Sequence, residues 1–229
     1  MDIDGCDLPE DRVYDLDAEV WAKSDGRAVT VGLMASLVAR TGKVHSVTYR
    51  PIEGTARRGQ SVATIEAPRL TFPVRLPVGG TIVERNAELR RRPKLLNDAP
   101  YGAGWIVRLS PSDPAEVDRN LAPAAAIAPA LGERIRRLRI RCYPAYPDAE
   151  LYEIGAECRA VLARLDEELA RRAPGEVVLL LTDDPTSPIE MVRWSDRSGH
   201  RVLHHRVEQT IHHFLVQREG ARPPSEEKA

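Results

Sequence analysis

One stretch constrains this chain more than any other: Thr64-Ile65-Glu66-Ala67-Pro68-Arg69-Leu70, followed by Leu76-Pro77-Val78-Gly79-Gly80-Thr81-Ile82-Val83. Two β-rich runs flank a short tip, so the stretch reads as a hairpin. The tip carries one long cationic side chain, Arg69. In one reading Arg69 is an ordinary solvated turn residue. In the other it binds an anion or a partner carboxylate.

The segments before the hairpin are also short and turn-bounded. Glu19 to Lys23 reads as a strand, Ser24-Asp25-Gly26-Arg27 as a turn, and Ala28 to Leu33 as the returning strand. Met34 to Arg40 has helical spacing and stops at Gly42. Val44 to Tyr49 alternates like a strand, which makes His45 a buried or half-buried structural histidine rather than a ligand. After the hairpin come Asp98-Ala99-Pro100-Tyr101-Gly102-Ala103-Gly104-Trp105, a closing strand to Leu109, and Ser110-Pro111-Ser112-Asp113-Pro114. Many short strands with Gly and Pro turns point to an all-β sandwich.

These segments, in this order, resemble the glycine cleavage H proteins. In that family the hairpin has a Glu, a lipoylated lysine and then Pro-Val-x-Gly. Glu66, Arg69 and Pro77-Val78-Gly79-Gly80 fall on those positions without a gap. The resemblance covers roughly residues 13–120 and implies a lipoyl-like, hammerhead β-sandwich domain over 12–120. The departure is Arg69 in place of the lysine. Lipoate attaches as an amide and needs a neutral amine, and a guanidinium does not lose its proton in a protein. No lipoate is therefore expected on Arg69. The lysines are Lys23, Lys43, Lys94 and Lys228, all outside the hairpin.

Residues 1–11 are acidic and read as frayed. Residues 121–148 read as a linker, with Pro123 and Pro129 preventing one long helix. Within it, 131–141 is basic and amphipathic, fits either a helix or a strand, and offers a docking element or a contact for an acidic partner. Residues 149–218 read as a second domain, and the tail from Glu219 as disordered.

That second domain has the order β-α-β-α-β-β of a two-layer α/β sandwich. Ser187, Pro188 and Glu190 read as N-cap, first position and capping box of its second helix. The segments Gly155-Ala156-Glu157-Cys158, Pro174-Gly175-Glu176 and Asp183-Asp184-Pro185 resemble TusA-type sulfur carriers, with Arg159 where that family has proline. The resemblance implies a persulfide carried transiently on Cys158. A cysteine at a helix N-terminus faces unpaired N–H groups that favour the thiolate. Arg159 adds a weaker cationic contribution, and Glu157 opposes it. The competing reading is an inert, buried structural cysteine. Cys142 is a candidate second thiol. His200, His204, His205, His212 and His213 cluster near the C-terminus. Solvated strand positions are the reading preferred over a cross-strand metal site, so no metal is expected.

Charge is balanced, with 33 basic and 34 acidic residues, which gives no drive toward nucleic acid or membrane. No apolar run is long enough for a membrane helix, and the N-terminus has no signal-like segment. Three cysteines at wide spacing argue against a disulfide and for a reducing cytoplasm. The functional expectation is a carrier or sulfurtransferase rather than a classical enzyme. A non-lipoylated H-like docking module is fused to a sulfur relay on Cys158. Its partners are sulfur donors or acceptors, or enzymes of the lipoate and glycine cleavage systems. The alternative is a non-catalytic interaction or regulatory protein of those systems.

Overall fold

The structure, a computed structural model, describes residues 1–220, so most of the expected disordered tail lies outside the described residues. The chain divides into two compact units, with the break between Tyr143 and Pro144.

The first unit opens with a two-stranded ribbon, β1 (Asp2–Ile3) and β2 (Cys6–Asp7). Then come β3 (Val13–Asp15), β4 (Val20–Ser24), β5 (Val29–Leu33), α1 (Ala35–Thr41), β6 (Ser46–Tyr49), β7 (Thr55–Ala56), β8 (Ser61–Glu66), β9 (Thr71–Arg75) and β10 (Gly80–Arg85). Two single turns follow, α2 (Glu88–Arg91) and α3 (Leu95–Asp98), then β11 (Val107–Pro111), α4 (Ala115–Asn120), β12 (Ala122–Pro123) and α5 (Ala124–Leu138). A seven-stranded sheet runs β12-β3-β4-β5-β11-β10-β7, and a three-stranded sheet runs β6-β8-β9. The two sheets enclose an aliphatic core, with Val31, Leu33, Val107 and Leu109 from one and Val47, Val62, Ile65 and Val74 from the other. This is the β-sandwich expected from the sequence.

The larger sheet is covered on its other face as well. Val20 and Ala22 enter the sandwich core, while Trp21 between them joins a second cluster with Tyr14, Met34, Ile127, Leu131 and Ile135. Trp21 lies across Gly32, where an added Cβ would sit 2.5 Å from its ring. Its indole N–H donates to Pro100 O at 3.0 Å, and the Tyr101 hydroxyl donates to Asp7 O at 2.9 Å. The Pro100-Tyr101 segment thus ties the sheet to the N-terminal ribbon.

Three expectations are corrected by this second cluster. Residues 1–11 are not frayed, because Leu8 and Cys6 are buried and Cys6 is bonded to Cys142. The cysteine count therefore no longer argues for a reducing compartment, and Cys142 is not a second thiol. Most of the proposed linker, 121–148, is folded into the first unit as β12 and α5. Helix α5 forms despite Pro129, which removes one backbone donor at a cost of about 3 kcal/mol. Ala124, Ile127, Leu131 and Ile135 recur at helical spacing and are buried, which offsets that cost. Two of its basic residues have partners inside the unit: Arg134 Nη1 donates to Leu16 O at 2.6 Å, and Arg136 pairs with Asp4 at 2.9 Å.

The second unit contains β13 (Ala149–Glu153), α6 (Cys158–Ala170), β14 (Val177–Thr182), α7 (Ser187–Ser198), β15 (Arg201–Glu208) and β16 (Ile211–Gln217). Its sheet runs β13-β14-β16-β15, with β13 and β14 parallel and the other pairs antiparallel. Val161, Leu165 and Leu169 of α6 and Met191 and Trp194 of α7 pack on Val178, Leu180, Phe214 and Val216. Helix α7 begins one residue earlier than expected, at Ser187 itself. Thr186 occupies the N-cap without a side-chain bond, so the Ser187–Glu190 capping box does not form. The Ser187 hydroxyl is buried without a hydrogen-bond partner.

The Cys6–Cys142 bond spans 136 residues. Closing so long a loop restricts the unfolded chain, so Cys6→Ser or reduction costs about 2–4 kcal/mol. We expect the first unit's melting temperature to fall by roughly 5–15 °C in calorimetry with reductant. An unchanged melt would mean the bond contributes nothing to stability.

Candidate functional sites

The hairpin tip comes first. β8 and β9 pair up to Glu66 and Thr71, leaving Ala67 to Leu70 as the tip. Ala67 N donates to Leu70 O at 3.2 Å, closing the turn. The tip is anchored to the chain that follows α1, for Arg69 N donates to Thr41 O at 3.0 Å. Gly42 passes beneath it with φ at +91°, and a Cβ there would sit 3.1 Å from the Pro68 ring. Buried Asn97 fixes this passage, accepting from Val44 N at 2.8 Å and donating to Gly42 O at 3.1 Å. On the other side Ser46 Oγ donates to Glu66 Oε2 at 2.7 Å. Arg69 itself is exposed. So is His45, which lies one residue ahead of β6 and donates its backbone N–H to Glu66 O at 2.9 Å. The reading of His45 as buried or half-buried is thereby corrected.

The family model for the glycine cleavage H-protein matches residues 12–133. This chain belongs to the glycine cleavage H-protein family. It is 36% identical over 145 residues to glycine cleavage system H protein 5 of Aquifex aeolicus, covering 62% of this chain and 98% of that one. It is 36% identical over 115 residues to the glycine cleavage system H protein of Thermus thermophilus, covering 50% and 89%. A glycine cleavage system H protein from Mycobacterium marinum, solved as a crystal structure, superimposes with a TM-score of 0.48 at 26% identity, covering 55% and 99%. The family match ends at residue 133 and does not extend into the second unit.

Cys158 is the other candidate. It is the first residue of α6, half-buried, and the free cysteine among the described residues. The loop from β14 to α7 lies against it. Asp184 Oδ1 accepts from Thr186 N and from the Thr186 hydroxyl, both at 2.7 Å. Asp183 Oδ1 accepts from Gly155 N at 2.8 Å, fixing the turn before the helix.

This environment does not produce the expected thiolate. Burial, then the negative charges of Asp184 and Glu190, push the Cys158 thiol up, and only the Thr186 hydroxyl opposes them. Arg159 is exposed, and the groups that act most on the thiol are Asp184, Thr186 and Glu190. Asp184 itself is held low, first by the Thr186 side chain. Sequence reasoning singled out the Asp183-Asp184-Pro185 loop without seeing that it faces Cys158. Thr186 and Glu190 were missed as neighbours.

The C-terminal histidines lie in or beside β15 and β16. His205 and His212 meet at 3.0 Å between Nε2 and Nδ1, and both rings stack with Phe214. Among the described residues, no group of three or more His, Cys, Asp or Glu is placed to hold a metal ion.

Two outcomes are expected. Asn97→Ala strands a buried N–H at Val44 and should cost about 1–3 kcal/mol in chemical denaturation. Asp184→Asn removes the nearest negative charge and should move the Cys158 titration toward lower pH, read from thiolate absorbance. An unmoved titration would remove Asp184 from the account of the thiol.

Proposed function

We propose that this chain is a two-unit carrier. The H-protein unit serves as a non-lipoylated docking module, and the second unit relays sulfur as a persulfide on Cys158. The observation that carries the first half is Arg69. Its position in the hairpin corresponds to the lipoylated lysine of the family, and its guanidinium presents no neutral amine to acylate. Anchoring of the tip through Thr41 and Asn97 supports a surface that partners read as a rigid shape. The second half rests on Cys158 at the mouth of α6. A persulfide S–H is more acidic than the thiol it forms from. A loaded Cys158 therefore ionises where the empty thiol, beside Asp184 and Glu190, stays protonated.

The partners in this reading are a protein persulfide donor, an acceptor, and enzymes of the glycine cleavage or lipoate systems that recognise the H-protein unit. Its setting in this reading is the cytoplasm, where the Cys6–Cys142 bond would have to persist by burial, Cys6 and Cys142 both being closed off from solvent. One observation favours a second reading. The acidic surroundings of Cys158 suit a thiol with no role as a nucleophile, which leaves a non-catalytic interaction protein of the same systems.

Two mass measurements separate these readings. After incubation with a cysteine desulfurase and cysteine, the full chain should gain one sulfur atom, and Cys158→Ser should gain none. With a lipoate ligase the native chain should gain no lipoyl group, whereas Arg69→Lys should become a substrate. A lipoylated native chain would overturn the docking-module reading, and a native chain that never gains sulfur would favour the interaction protein.

A further inference from the structure

One end of the β6-β8-β9 sheet gathers four exposed arginines that the proposed function leaves unused, Arg50, Arg57, Arg58 and Arg75. Arg50 follows β6 and donates its backbone N–H to Val62 O at 2.9 Å, and Arg75 ends β9 opposite Ser61. Arg57 and Arg58 lie in the turn that enters β8 at that same end. There Gly59 N donates to Leu76 O at 2.8 Å, and Leu76 N donates to Gln60 O at 3.0 Å. Three of the guanidiniums are held by uncharged acceptors. Arg50 Nη2 donates to Thr64 Oγ1 at 3.2 Å, Arg58 Nε to Pro77 O at 3.2 Å and Arg75 Nη1 to Gly59 O at 3.1 Å.

These bonds orient the side chains without cancelling their charge. Among the described residues none of the four forms an ion pair, whereas elsewhere on the unit Arg91 pairs with Glu88 at 2.9 Å, Arg108 with Asp25 at 2.7 Å and Arg136 with Asp4 at 2.9 Å. From Arg50 to Arg75 the chain holds five basic residues and two acidic ones, Glu53 and Glu66. Glu66 is at the far end of β8 and is bonded to Ser46. Glu116 comes near the Arg58 turn, but its carboxylate is engaged by Gly79 N at 2.7 Å. Protection of sheet edges does not account for the cluster. Pro73 and Arg75 blunt the edge strand β9, but Arg58 precedes β8, the central strand of its sheet.

A guanidinium whose orientation is already fixed loses less freedom on meeting an anion, and its planar fork fits a carboxylate. We propose that this end of the sheet is a docking surface for an acidic protein segment, whose carboxylates it takes on Arg50, Arg57, Arg58 and Arg75. A carboxylate-bearing partner fits better than nucleic acid. The patch is small, and a chain with 33 basic and 34 acidic residues lacks the broad positive field that a phosphate backbone calls for. The inference deepens the docking-module reading and rests on it for its biological use. It also separates two tasks along one hairpin. β8 has six residues, so the patch at its root is about 15–20 Å from the tip that carries Arg69. A segment bound at the root leaves position 69 uncovered.

The test is fluorescence anisotropy of a labelled octaglutamate peptide titrated with the full chain at low salt, about 50 mM. The triple variant Arg50→Gln/Arg58→Gln/Arg75→Gln should weaken binding by about tenfold or more. The control Arg91→Gln/Arg119→Gln/Arg171→Gln removes the same net charge from arginines paired with Glu88, Asp113 and Glu168, and should stay within about twofold. Thermal melts check that the variants are folded. Arg50→Gln/Arg57→Gln removes no side-chain bond to the backbone, so it guards against a misfolded triple variant, and it should weaken binding by about threefold or more. A native chain that does not bind the peptide, or equal affinities in the two triple variants, overturns the inference. So does tighter binding of a single-stranded oligonucleotide of equal charge, which would assign the patch to phosphate. Lipoylation, read by mass, does not involve these arginines. A native chain that binds through the patch yet accepts lipoate sinks the docking-module reading and keeps the surface. A chain that refuses lipoate and shows no patch-dependent binding does the reverse.

Discussion

The first unit depends on covering both faces of its seven-stranded sheet. A strand such as β4, with Val20, Trp21 and Ala22 all buried, presents apolar surface in two directions. The β6-β8-β9 sheet covers one direction, and α5 with the N-terminal ribbon covers the other. The Cys6–Cys142 bond joins the two ends of that second cover. Burying a large side chain such as Trp21 stabilises by about 2–3 kcal/mol, so a bare second face would leave several such contributions unrealised.

This constraint explains what was legible in the sequence and what was not. The hairpin, the Trp21 strand, α1 and the Pro100-Tyr101 segment were readable because each carries a local signal: alternation, a turn or a glycine stop. The ribbon at 1–11 and α5 were misread because their stability is non-local. Acidic composition suggested an unfolded segment where the ribbon forms, and Pro123 and Pro129 suggested a linker where α5 forms. A signal was present in the run Val20-Trp21-Ala22, which is continuously apolar where a one-faced strand would alternate. In the second unit, the helical spacing of Val161, Leu165 and Leu169 and the aliphatic run at 177–181 were sufficient to place α6 and β14. The charge around Cys158 was not legible, since Asp184 and Glu190 approach it only through the fold.

The two candidate sites differ in how their chemistry is set. At the hairpin the identity of one side chain decides, because no environment makes a guanidinium acylate like an amine. At Cys158 the environment decides, because a thiol's reactivity follows its ionisation. Helix dipole arguments from sequence pointed to a stabilised anion. Partial burial and two nearby carboxylates push the thiol the other way.

The bond from Arg69 N to Thr41 O has a mechanical consequence. It holds the loop's backbone against the body of the unit, so the tip does not swing as a flap. Whatever reach position 69 has toward another molecule is set by the torsions of its own side chain. A longer or shorter group there would change the radius of the volume it sweeps while its point of origin stays fixed.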